Sequence, residues 1–326
     1  MNKKDEWKLF RFVFGLKFDS CVCESEAPDF LISTVEGITL GVEVTEVYSD
    51  STEARLKYHN GYLASLLDGN GKIFRSDKGK MVVDEIKLLD DDGEVRSTQV
   101  AVMRDVVQFD DAIKLVCDAV LAKCKKVSAY LASCDAVDLI VNDSSGLFFI
   151  ENDDDFHRFF FHKFDRKILP SIAFREVFFI CSLWGGRRIC MPLKLNLFLC
   201  DYLAVSVVIE SELGREWSDS QQDFDILLLA LYEIGYQDFS YEIVAGNLSV
   251  DLGASIVEFN DAGINIKDHT SYLVPHEFGK NISSVRISAS DESLEIARRV
   301  SARRWENIAH VPIHFPVAEG EAHDVI

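Results

Sequence analysis

The chain has 326 residues, 48% of them apolar and 27% charged, with only 6 prolines. It is long enough for two domains at roughly 100–200 residues each, and its composition is not that of a disordered chain. A net charge of −20 excludes a protein that coats nucleic acid nonspecifically, because a basic surface supplies that affinity, and no window reaches the ~18 uninterrupted apolar residues of a membrane span.

From the N-terminus, Trp7, Phe10, Val13 and Phe14 recur at helical spacing and predict an amphipathic helix over 5–16. Asp5, Glu6, Lys8 and Arg11 interrupt it and no small-residue cleavage site follows, so it does not read as a signal peptide. Two strands are expected over 29–34 and 38–48, with Glu36-Gly37 as the turn between them. A helix follows over 51–68, capped by Ser51 or Thr52 and closed by Gly69. Residues 70–107 suggest short strands around the acidic turn Asp90-Asp91-Asp92-Gly93. The stripe Ile113, Val116, Val120, Cys124, Val127 predicts a helix over 110–132 that Asp110 or Asp111 begins. The apolar run at 137–143 marks a buried strand. A helix is expected over 153–169, then two strands about Gly185-Gly186.

A second part begins near residue 200. "LAVSVVIES" reads as a strand, "DSQQDFDILLLALYEIGY" as a helix, and strand-like pieces continue to about 288. A helix capped by Ser290 or Asp291 follows, and the residues from Val317 are expected to fray. The division is therefore 1–198 and 199–326, the second an α+β domain. The eight cysteines lie mostly in apolar segments without a CxxC pair, the pattern of reduced core thiols in a cytoplasmic protein.

The chemistry concentrates at "APDFLISTVEGITLGVEVTEVY", residues 27–48. Asp29 and Glu43 fall on adjacent strands joined by a short turn, so a hairpin brings two like charges together. A cation between them resolves the repulsion, and oxygen-only ligands favour Mg²⁺, with Mn²⁺ as its substitute, over zinc. The plainer alternative is a turn aspartate after proline and an edge-strand glutamate facing water.

Pro28-Asp29, a gap, then Glu43-Val44-Thr45 resembles the PD-(D/E)xK nuclease superfamily, over roughly residues 5–190. The resemblance implies a restriction-endonuclease-like α/β core, a mixed sheet flanked by helices. It implies that Asp29 and Glu43 bind the metal and that the Val44 carbonyl helps. It also implies that a lysine two residues past Glu43 positions or polarises the attacking water. Thr45 stands at that position and carries no charge. Members can place the lysine on a neighbouring helix, which here offers Lys123 and Lys126, three apart and so on one face, with Tyr130 after them. Lys57 is a third candidate. The alternative for the lysines is a basic helix end that favours the dipole. A further glutamate on the first helix is implied by the resemblance, here Glu6, with Glu24 and Glu26 as alternatives.

Other constellations point to structure. His157 and His162 are five apart, and His310-Val-Pro-Ile-His314 carries a proline and no metalloprotease glutamate. Arg298, Arg299, Arg303 and Arg304 are more readily paired with this chain's carboxylates than with phosphate.

Two readings follow. One is a Mg²⁺-dependent nuclease cutting DNA or RNA, with DNA the preferred nucleic acid, in the bacterial-defence setting the resemblance suggests. The other is a nuclease-like fold that binds or assembles without cutting, which the missing lysine and the charge favour. In both, residues from about 199 serve substrate choice, a partner protein or homo-oligomer contacts.

Overall fold

The computed structural model describes residues 1–15, 18, 21–34, 37–148, 160–182, 188–218, 220–260, 263–267, 278–306 and 318–320. Helix α1, Lys3–Phe14, begins where the Asn2 side chain accepts the Asp5 N–H. Three strands follow: β1 Val22–Glu24, which the sequence did not suggest, β2 Phe30–Ser33 and β3 Thr39–Val47. The expected helix over 51–68 is two helices, α2 Ser51–Tyr58 and α3 Tyr62–Leu67. The break is at Gly61, whose φ of 73° lies in the left-handed region that favours glycine. Asp50, not Ser51 or Thr52, is the cap of α2; its carboxylate accepts the Thr52 and Glu53 N–H groups. The acidic turn joins β4 Val82–Leu89 to β5 Val95–Met103 in a separate two-stranded ribbon.

The expected helix over 110–132 is also divided, into α4 Phe109–Cys124 and the short α5 Val127–Tyr130. Strand β6, Ala136–Asp143, is buried along almost its whole length because it lies between two parallel neighbours. Residues 160–163 are helical, a 3₁₀ helix spans Arg166–Ser171, and the start of the predicted helix at 153 lies outside the described residues. Strands β7 Val177–Ser182 and β8 Arg188–Pro192 pair antiparallel, as expected, and Gly185-Gly186 lies outside the described residues.

These strands build one mixed sheet with the order β1-β2-β3-β6-β7-β8 and, at its edge, β14 Ala318–Gly320. The expected fraying therefore does not hold for 318–320, which pair with β8. On one face α1 sets Phe10 and Phe14 against Phe30, Val42, Val44, Ile140, Phe178 and Ile180. On the other, α4 and the 160–171 segment cover Leu139, Val141 and Phe179. The protein is thus α+β, with a central mixed sheet flanked by helices.

The largest departure is at 203–211, expected as a strand and found inside α6, Leu193–Leu213. The β-branched Val205, Val207, Val208 and Ile209 suggested a strand. The buried positions Asp201, Ala204, Val205, Val208 and Ile209 instead follow a helical repeat. The first two turns are buried nearly all round, which erases the amphipathic signal. The division at 198/199 falls inside this helix, and one hydrophobic cluster runs from Val47 to Val300.

Helix α7, Gln221–Ile234, is capped by Ser220, and a second sheet of order β12-β11-β10-β9-β13 follows. Its strands are β9 Ser240–Val244, β10 Asn247–Asp251, β11 Ile256–Asn260, β12 Gly263–Lys267 and β13 Lys280–Asn281. Strand-like character does not reach 288: Asn281 caps a helix, α8 Ile282–Ser288, by accepting the Ser283 N–H. Helix α9, Asp291–Arg303, starts at its Ser290 cap as expected. No helix among the described residues is long and apolar enough to cross a membrane.

Gly41 ties this fold to the residues that matter below. A Cβ there would stand 2.6 Å from Pro28 Cγ and 2.7 Å from Cys134 Sγ. Gly41→Ala is expected to displace Pro28 and to cost about 1–3 kcal/mol, the usual range for overpacking. A urea melt reads the loss, and an unchanged midpoint would show that Pro28 moves aside freely.

Candidate active site

The register Phe30↔Val42 and Leu31↔Gly41, carried outward, sets Asp29 opposite Glu43 and Pro28 opposite Val44. Proline has no N–H, so it leaves the Val44 carbonyl without a ladder donor. The Val44 N–H donates to the Asp29 carboxylate, at 2.9 Å to Oδ2. The sequence Pro-Asp therefore ends the ladder and anchors a carboxylate beside a second one. Like charges opposite one another are unfavourable in a sheet, and each of these is met by an ammonium.

Lys123, in the last turn of α4, reaches Glu43 Oε1 at 2.5 Å across eighty positions of sequence. Glu43 is only 5% exposed. Burial pushes its carboxyl above the usual range and the neighbouring Asp29 charge adds to this, while hydrogen bonds from Lys123 and Tyr130 pull it back. The Tyr130 hydroxyl is pushed up in turn, first by burial and then by the Glu43 charge. Asp29, Glu43, Lys123 and Tyr130 thus form one group, assembled from the β2–β3 hairpin, α4 and α5.

A second ammonium, Lys3, was not among the residues singled out from the sequence. Its Nζ donates to Asp29 Oδ1 at 3.0 Å and to the Ser25 carbonyl at 2.9 Å, and stands 2.9 Å from Glu6 Oε2. Lys3 and Glu6 are three apart on α1, a spacing that puts them on one face. That pairing was legible; its reach to Asp29 was not, because it depends on how α1 packs over β2 and β3. Glu6 joins the group only through Lys3.

The remaining candidates stand elsewhere. Lys126 is exposed at the cap of α5. Lys57 pairs with Glu46 Oε1 at 2.7 Å. Glu24 accepts the Trp7 indole N–H and Glu26 is exposed. Thr45, two positions past Glu43 on β3, lies beside the site and brings no charge. His162 is exposed and packs on Trp305, while His157, His310 and His314 lie outside the described residues. The arginines of the last helix have acidic partners, Arg299 and Arg303 with Glu212, Arg304 with Asp201 and Arg298 with Glu295.

The donors at the Asp29–Glu43 pair are all oxygen, the chemistry of a hard cation, and Mg²⁺ is commonly held by one or two carboxylates with water completing its shell. Among the described residues no group of three or more His, Cys, Asp or Glu could hold a metal. The partly exposed Lys3 ammonium sits between Glu6 and Asp29, as a competing cation does. No family model, curated protein or solved structure matches the chain.

Proposed function

We propose that the protein is a Mg²⁺-dependent nuclease that hydrolyses phosphodiester bonds, DNA rather than RNA, inside the cell. The observation that carries this reading is the Lys123–Glu43 contact beside Asp29. It supplies from a helix the ammonium that the PD-(D/E)xK resemblance calls for and that Thr45 does not provide.

Asp29 and Glu43 would hold the cation, assisted by the Val44 carbonyl, with Glu6 as the further acid the resemblance implies. The ion when bound supplies Lewis-acid polarisation and a water acidic enough to attack near neutral pH. Lys3, partly exposed, occupies Asp29 and would have to release that carboxylate for it to hold the ion. Lys123 stays on Glu43, orients that carboxylate and presents its remaining N–H groups to the water or the phosphate. Tyr130 keeps its proton and donates a hydrogen bond to Glu43. The net charge of −20 repels a polyanion, so substrate capture rests on a local basic surface, a partner protein or a second copy of the chain.

The second reading, a nuclease-like fold that binds without cutting, draws on the ion pairs themselves: Lys3 and Lys123 already balance the two carboxylates. One assay separates the readings. Wild type, Asp29→Ala and Glu43→Ala are incubated with DNA and RNA in Mg²⁺ or in chelator. Cutting that requires Mg²⁺ and falls to background in both variants is expected. Equal cutting by all three proteins would remove the site, and binding without cutting by wild type would establish the second reading.

A further inference from the structure

A cavity of about 430 Å³ opens at the carboxyl ends of β3, β6 and β7, lined by Lys8, Glu46, Asn142, Asp143, Ser144 and Arg188 among others. Along β3 it begins three residues past Glu43. Glu46 projects to the α1 face of the sheet and Glu43 to the α4 face, because successive strand residues alternate.

The charges of this cavity do not close. Each acid that lines it is already engaged. Asp5 stands 3.6 Å from Lys8. Glu46 is bound by Lys57 at 2.7 Å and by the Tyr48 and Tyr58 hydroxyls. Asp143 accepts the Ser145 and Leu147 N–H groups at 3.0 and 2.8 Å, and burial pushes its carboxyl up to about 6.

Arg188 is left over. It donates to Asn142 Oδ1 at 2.7 Å and lies over the Phe12 ring; among the described residues no carboxylate forms an ion pair with it, and the Asp143 charge reaches it only from beyond ion-pair distance. It is half-buried, and burial disfavours its charge. Buried cations ordinarily have an anionic partner, and a chain with 54 acidic residues does not lack the means to provide one. Beside it the Ser144 hydroxyl is buried without a hydrogen-bond partner among the described residues, although buried polar groups are ordinarily satisfied. A guanidinium with unused N–H groups and an unsatisfied hydroxyl line one cavity, together with the Lys8 ammonium, which shares its charge with Asp5.

We infer that this cavity is a phosphoryl-binding site, with Arg188 as its principal ligand and Ser144 and Lys8 completing it. A tetrahedral phosphate presents oxygens in several directions and suits donors that converge from a strand, a loop and a helix. The planar guanidinium matches two of those oxygens at once. The inference does not depend on cleavage at Asp29 and Glu43.

The test is calorimetric titration of the metal-free full chain at fixed ionic strength with inorganic phosphate, a nucleoside 5′-monophosphate and acetate. Wild type is expected to bind phosphate at least about tenfold more tightly than acetate. Arg188→Gln is expected to weaken phosphate binding at least about tenfold, the scale of a lost charge-assisted hydrogen bond. Ser144→Ala is expected to weaken it about three- to tenfold, and it serves where Arg188→Gln unfolds, as circular dichroism would show. Tighter binding of the nucleotide makes a phosphate ester the ligand, and equal binding makes it free phosphate. Failure of both to bind, equal affinity for acetate, or wild-type affinity in the folded variants would overturn the proposal.

Discussion

Methionine at position 123 is expected to lower Mg²⁺-dependent cleavage by about 10²–10⁴-fold, the range that a positioned proton-handling side chain contributes, while Lys126→Met changes it by less than about twofold. Methionine keeps the apolar stem that packs along α4 and removes the charge 2.5 Å from Glu43 Oε1. A second readout separates a role at the site from mere packing. Glu43 must lose its proton to take a cation, and its carboxyl is already raised by burial and by Asp29. Lys123 is one of the two groups that pull it down, so its removal raises it further. The acid limb of the cleavage profile therefore moves to higher pH in the variant.

The sign for stability agrees. A carboxyl raised in the folded state contributes stability that is fully present below its unfolded pKa and is lost as pH rises through its folded pKa. Lys123→Met should therefore destabilise the protein more at pH 7 than at pH 4.5. Cleavage at the wild-type rate with an unmoved acid limb would remove Lys123 from the site.

The Asp29–Glu43 pair was legible because strand register is local. Two short strands across a tight turn fix which residues face one another, and the period of two does the rest. The choice among lysines was only half legible. Spacing put Lys123 and Lys126 on one helical face, but α4 ends at Cys124 and a new helix begins at Val127. The chain turns between them, and Lys126 leaves the face. Lys57 illustrates the opposite limit: it is near in sequence to the hairpin, yet Glu46, on the other face of β3, captures it. Lys3 needed the packing of α1, which no local pattern carries.

The second part was harder to read for a related reason. Residues 193–200 are buried on nearly every side, so they show no period at all, and the valines after them suggested a strand. What decides the helix is the tertiary surround, with α7 and the second sheet packing against it. The division at 198/199 followed from that reading.

The same helix gives the largest expected loss of stability. Arg166→Met should cost about 3–5 kcal/mol, the usual penalty for breaking a buried ion pair by removing one partner. Arg166 is 6% exposed and Asp201 fully buried. The guanidinium donates to both Asp201 oxygens, at 2.8 and 3.3 Å, and to the Phe164 carbonyl at 3.0 Å. Tyr236 donates to Asp201 Oδ2 at 2.7 Å, and Arg304 stands 3.3 Å from Oδ1. Both guanidinium groups lie over Trp305.

One buried carboxylate thus joins the 3₁₀ helix, α6, the end of α7 and the end of α9. Methionine leaves Asp201 with a single, more distant cation. Arg166→Met with Asp201→Asn should lose less than the sum of the two single changes, because the amide no longer needs a cation. If residues before and after 198 share one cooperative core, urea unfolding is a single transition that Arg166→Met moves as a whole. Two separate transitions, only one of them shifted, would show two independent domains. A shift below about 1 kcal/mol would mean that Arg304 alone satisfies Asp201.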